Sequence, residues 1–274
     1  MGDRKVNMIK IIGGAVGVYL LMLAAMYVFQ RSLIYVPDRT RPEPSQFGVP
    51  EMIPVTLETD DGLALLAWWR RPARAGAPTM AYFHGNAGNI GDRAAKVRPY
   101  LNLGWGVLLT TWRGYSGNPG NPTEQGLYAD GRAALAFLAK QGITPAGTVL
   151  YGESLGSGAA VELATGYAAG ALVLEAPFTS LPDAGARHYP IFPLRLLAKD
   201  RYDSLAKIGA VQSPLLVLHG GRDRVVPMAL GRRLLEAANE PKTGTFPAGA
   251  GHNDLYDFGA ARGVIAFVKQ HIKE

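Results

Sequence analysis

The sequence predicts an α/β domain built on a mostly parallel β-sheet that helices cover on both faces. Three observations support this fold class. Short apolar strands alternate with stretches of helical periodicity over most of the chain. The 34 glycines suit the tight turns that join such strands to helices. With 274 residues, of which 48% are hydrophobic and 18% charged, the chain can form one domain with a large core and a short appendage.

The first element is an apolar helix. The stretch Ile11–Phe29 carries no charge, and from Ile9 to Gln30 it would extend about 30 Å as a helix, enough to cross a bilayer. We therefore expect residues 1–30 to be a single-pass membrane anchor. A cleaved signal peptide and a buried helix of a soluble protein are the alternatives, but Leu23-Ala24-Ala25 is a poor cleavage site.

The basic residues on the two sides of this helix are nearly balanced. They are Arg4, Lys5 and Lys10 before it, and Arg31, Arg39 and Arg41 after it. The α-amino group tips the balance, so the positive-inside rule predicts an amino terminus on the cytoplasmic side. The folded domain would then lie on the non-cytoplasmic side of the membrane.

The rest of the chain divides into a linker and one domain. Five prolines between residues 37 and 54 predict a linker over residues 31–54. Residues 55–274 then form the α/β domain, which begins with a hairpin of Val55–Glu58 and Leu63–Arg70. Further strands are predicted at Thr79–Phe83, Gly106–Thr111, Thr148–Tyr151, Ala171–Glu175 and Leu215–His219, and helices at Thr123–Gln141, Leu155–Tyr167, Pro227–Ala238 and Asp257–Lys273. Residues 178–212 break the alternation and are predicted to form a small lid.

Charge and cysteine content exclude several classes of function. The net charge is +6, but the basic residues are scattered, which favours a solvated surface over nucleic-acid binding. The chain has no cysteine, so disulfides, thiol catalysis and cysteine-ligated metals are excluded. No cofactor and no metal ion is expected.

The segment Gly152-Glu153-Ser154-Leu155-Gly156 matches the pattern G-x-S-x-G. In this pattern a serine sits on a strained turn between a strand and a helix, where bulky neighbours would clash. The predicted strand Thr148–Tyr151 and helix Leu155–Tyr167 provide that context. The sequence therefore predicts Ser154 as a nucleophile, against the alternative of a structural glycine turn.

A serine nucleophile needs a histidine that accepts its proton, and in this type of site the histidine follows the serine and the acid in the chain. His252 fits best, because it lies in a loop before the last helix. The others are less suitable: His84 precedes Ser154, His188 is in the lid, His219 comes before the predicted acid, and His271 is near the chain end.

The acid that orients this histidine is predicted to be Asp223, which follows a buried strand in a tight loop. Glu175, at the end of the preceding strand, is the second choice, and Asp203 and Asp254 are weaker ones. A surface or capping role is the alternative for Asp223.

Two backbone N–H groups are predicted to bind the oxyanion. One belongs to Asn86, in the loop His84-Gly85-Asn86-Ala87-Gly88-Asn89 after a short strand, and the other to Leu155, directly after the nucleophile. A simple glycine turn is the alternative for this loop.

Several segments together resemble the membrane-anchored α/β-hydrolase-domain proteins, a family of small serine hydrolases with an N-terminal membrane segment. The segments are Gln30–Pro37, His84–Asn89, Trp112-Arg113-Gly114-Tyr115-Ser116-Gly117, Gly152–Gly156, His219–Pro227 and His252-Asn253-Asp254. Trp112 departs from the family, which often has tyrosine there. The resemblance extends over nearly the whole chain and implies an α/β-hydrolase fold with Ser154, Asp223 and His252 as the triad.

The resemblance also implies a substrate class. Members act as esterases, lipases or acyl-thioesterases, so we expect a serine hydrolase that cleaves ester or thioester bonds through an acyl-enzyme. A membrane anchor makes a lipid or acylated substrate attractive. An amidase or peptidase on the same triad, and a catalytically retired membrane protein, are the alternatives.

Overall fold

The computed structural model describes residues 2–273, with side chains from residue 7 onward. The side chains of Arg4 and Lys5, which entered the prediction of orientation, lie outside the described residues.

Eight strands form one twisted sheet in the order β10-β9-β8-β7-β4-β6-β3-β2, and β1 pairs with β5 apart from it. The strands are β1 Val36–Pro37, β2 Ile53–Glu58, β3 Ala64–Arg70, β4 Thr79–Phe83, β5 Ala87–Gly88, β6 Gly106–Thr110, β7 Thr148–Glu153, β8 Ala171–Glu175, β9 Leu215–Leu218 and β10 Lys242–Thr245. Only β2 with β3 and β3 with β6 run antiparallel in this sheet. The predicted mostly parallel sheet is confirmed.

Helices cover both faces of this sheet. The helices of the described chain are α1 Gly2–Ile34, α2 Ala94–Asn102, α3 Glu124–Lys140, α4 Leu155–Gly166, α5 Leu181–Ala186, α6 Leu194–Leu197, α7 Ser204–Lys207, α8 Met228–Ala237 and α9 Ala260–His271. One buried cluster joins the sheet to α3, α4 and α8, and a second joins its other face to α2 and α9. The central strands are buried on both sides, which explains their continuous apolar sequences.

Most predicted elements agree with the structure; the two-residue strands β1 and β5 are not predicted, and three further differences have a physical reason. Helix α2 was not predicted, because Pro99 interrupts its pattern. Strand β10 was not predicted either, since it is a polar edge strand that contains Gly244. Helix α9 begins at Ala260 rather than Asp257, because Gly259 before it has a left-handed backbone with φ 87°.

The predicted lid is present as an insertion between β8 and β9. It consists of the short helices α5, α6 and α7 with a 3₁₀ turn at Ile208–Ala210. It leaves the sheet at the carboxyl end of β8, which is the edge where such folds bind ligands, and the chain then returns to the amino end of β9.

The segment between α1 and the sheet lies against the domain. Tyr35, Val49 and Met52 are buried, and Val36 and Pro37 pair with Ala87 and Gly88 in parallel. Proline-rich composition therefore coincides here with an ordered chain that is packed on the loop after β4. The division into anchor, linker and domain stays a prediction.

Helix α1 contains a candidate membrane span, Asn7–Ile34, with a mean hydropathy of 2.1. Length and composition are sufficient for crossing a bilayer, and the most apolar part is not buried in the protein. A signal sequence would meet the same criteria. The predicted orientation stays a prediction.

Candidate active site

Ser154 lies at the sharp turn between β7 and α4, with φ 49° and ψ −115°. Such a positive φ is strained for a residue with a Cβ. The neighbouring glycines are required by close contacts: a Cβ on Gly156 would come within 2.1 Å of the Phe83 carbonyl oxygen, and one on Gly152 within 2.6 Å of the Ser157 Cα. The turn thus holds the serine hydroxyl at the end of the sheet.

The imidazole of His252 reaches Ser154 from the loop before α9. Its Nε2 lies 3.1 Å from the Ser154 Oγ, and its Nδ1 lies 2.7 Å from the Asp223 Oδ2. These distances allow Nδ1–H to donate to the carboxylate while Nε2 accepts from the serine hydroxyl. His252 is 98 residues from Ser154 and 29 residues from Asp223 in the sequence, yet the three side chains form one hydrogen-bonded row.

The Asp223 carboxylate is buried and has four hydrogen-bonding contacts. Its Oδ1 accepts from the backbone N–H groups of Val225 and Val226, both at 2.8 Å, and its Oδ2 contacts His252 and the His219 Nε2, the latter at 3.2 Å. Burial would raise the pKa of Asp223, but the hydrogen bonds from the two histidines hold that pKa well below its ordinary value. Asp223 is therefore ionised beside His252 at neutral pH.

Glu175, the second choice for the acid, lies elsewhere. Its carboxylate is buried beneath the nucleophile turn, where it accepts from the Lys96 Nζ at 2.7 Å and from the Tyr151 hydroxyl. Its contact with Ser154 is made by the backbone, since the Ser154 N–H donates to the Glu175 carbonyl at 2.8 Å. Asp203 precedes α7 in the lid, and the Asp254 Oδ1 accepts from the N–H of Gly251.

A buried ion-pair network lies under this turn and joins Glu175 to Glu153. Lys96 is 3.4 Å from Glu153, and the Arg93 Nε is 3.2 Å from it. Burial would raise the pKa of Glu153, but Lys96 and Arg93 lower it to about 2. The pKa of Glu175 is raised, chiefly by its burial. The positive charges of Arg93 and Lys96 thus balance the negative charges of Glu153 and Glu175 behind Ser154.

The predicted oxyanion loop lies against Ser154. A Cβ on Gly85 would come within 3.4 Å of the Ser154 Cβ, and Asn86, Ser154 and Leu155 line the same cavity. In the described part of the chain, no backbone or side-chain acceptor is found for the N–H of Asn86 or of Leu155. Both groups are therefore free to donate to a ligand.

Four contacts fix the position of this loop. The Tyr115 hydroxyl donates to the Asn86 carbonyl at 2.8 Å, the Val36 N–H donates to the same carbonyl at 3.0 Å, and the Trp112 Nε1 donates to the His84 carbonyl at 3.0 Å. The Asn86 side chain donates to the Ile34 carbonyl at 2.9 Å. The segments Gln30–Pro37 and Trp112–Gly117 therefore hold the loop in place.

The remaining histidines have other environments. His84 is fully buried, and its Nδ1 and Nε2 contact the Gly85 carbonyl and the Thr111 hydroxyl. Burial, with Arg93 nearby, lowers the pKa of His84 to about 3, so it is neutral. The His188 Nε2 contacts the Val225 carbonyl at the cavity rim, and His271 packs on Phe267 in α9.

A cavity of about 220 Å³ opens beside Ser154. Lid side chains such as Phe178, Leu181, Leu194 and Leu197 form most of it, and Met26, Leu33 and Ile34 of α1 complete it. The lining is mainly apolar, with Ser154 and the oxyanion loop at one end.

Sequence reasoning missed several residues around this site. His219 was set aside by chain order, yet it contacts Asp223 because both follow β9. Arg93 and Lys96 carried no signal, because their partners are 60 and 79 residues away. Trp112 and Tyr115 stood in a recognised motif, but only the structure shows that they bind the oxyanion loop.

The chain is similar in sequence to a bacterial protein and to a human protein. The chain is 46% identical over 228 residues to a Mycobacterium tuberculosis protein named Uncharacterized protein Rv2307c, covering 82% of this chain and 81% of that one. It is 34% identical over 188 residues to the human alpha/beta hydrolase domain-containing protein 17B, covering 66% of this chain and 62% of the human one. No protein-family model matches.

Solved structures share the fold at low identity. An esterase from Pyrococcus furiosus superposes with a TM-score of 0.70 at 19% identity, covering 86% of this chain and 99% of that one. An alpha-beta hydrolase from Vibrio vulnificus gives 0.71 at 21% identity, covering 84% and 88%. The domain therefore has the α/β-hydrolase fold.

Proposed function

The chain belongs to the family of α/β-hydrolase-domain proteins, and on this premise we propose that it is a serine hydrolase that cleaves ester or thioester bonds. One observation carries the proposal. The Ser154 Oγ, the His252 imidazole and the Asp223 carboxylate form a continuous row with contacts of 3.1 and 2.7 Å. In this assignment Ser154 is the nucleophile, His252 the base and Asp223 the acid.

In the first half of the reaction the Ser154 Oγ attacks the acyl carbonyl while its proton moves to the His252 Nε2. Asp223 accepts from Nδ1–H, which holds the reactive tautomer and stabilises the imidazolium. The tetrahedral intermediate then expels the alcohol or thiol, which takes the proton from Nε2. The products of this half are the free leaving group and an ester between the acyl group and Ser154.

The N–H groups of Asn86 and Leu155 are proposed to receive the negative charge of the tetrahedral oxygen. Leu155 is the first residue of α4, so the partial positive charge of a helix N-terminus acts there too. Losing one such donor typically lowers the rate about 10²- to 10³-fold.

The second half repeats these roles with water. His252 takes a proton from the water as the water oxygen attacks the acyl-serine, and returns it to the Ser154 Oγ as that bond breaks. A carboxylic acid leaves and the enzyme is restored. The substrate and one water molecule account for every atom of the products, so no other reactant is needed.

The apolar cavity supports an acyl substrate rather than a peptide. Burying peptide amides without hydrogen-bonding partners is costly, and mainly apolar side chains line this cavity. The contacts of α1 with the lid, such as the hydrogen bond from the Tyr19 hydroxyl to Ile191, support a retained membrane anchor over a cleaved signal.

The test is covalent labelling with a fluorophosphonate probe. We expect wild-type protein to be labelled and Ser154→Ala to lose labelling and ester hydrolysis together, with an unchanged circular dichroism spectrum. Ser45→Ala, at an exposed serine that does not line the cavity, is the matched control and should be labelled like wild type. Labelling of Ser154→Ala at the wild-type rate would refute the assignment.

A further inference from the structure

Helix α1 forms one wall of the cavity beside Ser154. Its lining residues are Met26, Gln30, Leu33 and Ile34. At 1.5 Å per residue, this wall runs about 12 Å along the helix from Ile34, next to the oxyanion loop, to Met26. The helix that carries the candidate membrane span therefore also contacts the space where a substrate acyl group would lie.

The register of α1 against the lid is fixed by hydrogen bonds. Gln30 is 8% exposed; its Nε2 donates to the Leu197 carbonyl at 3.1 Å, and its Oε1 accepts from the Lys199 N–H at 2.7 Å. The next residue, Arg31, pairs with the buried Asp200 at 2.8 Å. A satisfied buried amide and an ion pair hold α1 as a wall rather than as a free tether.

The lid follows α1 toward the middle of the apolar stretch. The Tyr19 hydroxyl donates to the Ile191 carbonyl at 2.7 Å, and the Tyr19 ring stacks on Phe192 with centroids 6.4 Å apart. Tyr19 lies about 16 Å along the helix from Gln30. A hydrocarbon layer that covers the uncharged stretch Ile11–Phe29 must then also surround the outer part of the lid.

The outer surface of the lid has the composition expected of a surface that enters a hydrocarbon layer, with exposed apolar side chains bordered by basic ones. Ile191 is 60% exposed and Leu196 is 86% exposed. Exposed basic residues flank this apolar surface, namely Arg187, Arg195, Lys199 and Arg201. Apolar tips that enter a leaflet are commonly bordered by lysine and arginine, which attract anionic headgroups.

Resting on the proposed hydrolase activity, we propose that the lid lies in the leaflet that surrounds the second half of α1 and that the cavity between them takes a long acyl chain from that leaflet. Met26 is then a specificity-determining residue, because it lies at the far end of the α1 wall. The cavity of about 220 Å³ is larger than the engineered apolar cavities of about 150 Å³ that bind benzene. The substrate class is a long-chain ester or thioester held in a bilayer.

The experiment compares chain-length preference in two matched variants of full-length protein in detergent micelles. Met26→Trp narrows the acyl site, whereas Val28→Trp makes the same change on a 61% exposed position outside the cavity. We expect Met26→Trp to lower kcat/KM for p-nitrophenyl palmitate at least about tenfold while p-nitrophenyl butyrate changes less than about twofold. Val28→Trp should change neither.

Met26→Ala is a second variant, which tests the inference even if the tryptophan side chain of Met26→Trp disturbs the fold. It empties part of the wall, so we expect a selective loss on the palmitoyl ester here too. Vesicles containing phosphatidylcholine or a palmitoyl-thioester peptide, assayed in parallel, identify the natural source of the chain. An equal effect of Met26→Trp and Met26→Ala on both esters, or a loss reproduced by Val28→Trp, would overturn the inference. Absence of Ser154-dependent hydrolysis in wild type would instead overturn the proposed function.

Discussion

Ser154 has backbone angles that residues with side chains rarely adopt, and the packing around it holds this strained conformation in place. Gly152 and Gly156 leave no room for a Cβ, and the Ser154 N–H is held by the Glu175 carbonyl. Backbone strain of this kind costs on the order of 1–3 kcal/mol and persists where packing over-determines it. The rigid turn aims the hydroxyl at His252 rather than at the core.

Asp223 and Glu175 offer a residue-scale prediction, because Glu175 ends β8 and Asp223 follows the neighbouring parallel strand β9. Asp223→Asn should lower kcat by about 10⁴-fold, since an amide in place of the carboxylate favours the wrong His252 tautomer. Glu175→Gln should lower kcat much less, because its side chain contacts Lys96 and Tyr151.

Steady-state kinetics on a butyrate ester distinguishes the two acids. Near-UV circular dichroism of each variant measures the folded fraction and corrects kcat for protein lost to misfolding. A greater loss of kcat in Glu175→Gln than in Asp223→Asn would reverse the assignment of the acid.

At the scale of elements, α2 is joined to the ends of β7 and β8 by the buried charges beneath the Ser154 turn. Lys96 contacts both Glu153 and Glu175, and its side chain is 15% exposed. Removing one partner of a buried pair leaves an uncompensated charge, which typically destabilises a protein by about 3–5 kcal/mol. The network therefore ties the nucleophile turn to the helix behind it.

Lys96→Met should accordingly lower the Tm by roughly 6–20 °C for a domain of this size. The double variant Lys96→Met/Glu175→Gln should recover part of that loss, because one buried carboxylate is then neutral. Differential scanning fluorimetry measures both, with Lys140→Met at an exposed position of α3 as the control. A Tm of Lys96→Met equal to that of Lys140→Met would show that the network adds nothing to stability.

At the scale of the whole molecule, α1 combines a candidate membrane span with contacts to the lid and the cavity. Its candidate span is long enough to cross a bilayer, and its second half packs on the lid through Tyr19, Gln30 and Arg31. An anchor that only tethered the domain would need none of these contacts. Deleting it should therefore alter both location and substrate preference.

We expect full-length protein to resist extraction from membranes by alkaline carbonate and a variant lacking residues 2–30 to be extracted, since it retains only the peripheral lid surface. Hydrolysis of p-nitrophenyl palmitate should fall more than that of p-nitrophenyl butyrate, because Met26 and Gln30 are lost. Integral and peripheral marker proteins control the fractionation. Carbonate release of the full-length protein would contradict a spanning α1.

Local patterns in the sequence determined the fold class, the nucleophile turn, the order of the candidate triad and the apolar helix. They did so because strand and helix periodicity, glycine spacing around Ser154 and an uncharged stretch of Ile11–Phe29 are properties of neighbouring residues. For the acid, the sequence predicts Asp223 with Glu175 as the second choice, because both lie at the ends of buried strands and a linear pattern does not show where their side chains point.

Tertiary structure alone decided which side chains meet. It brought His252 to Ser154 and Asp223, placed His219 on the same carboxylate, and paired Lys96 with Glu175 across 79 residues. It also placed α1 against the lid, although the apolar composition of α1 predicted only a membrane span. These contacts depend on strand order and on crossovers between distant segments, and a linear pattern does not contain that information.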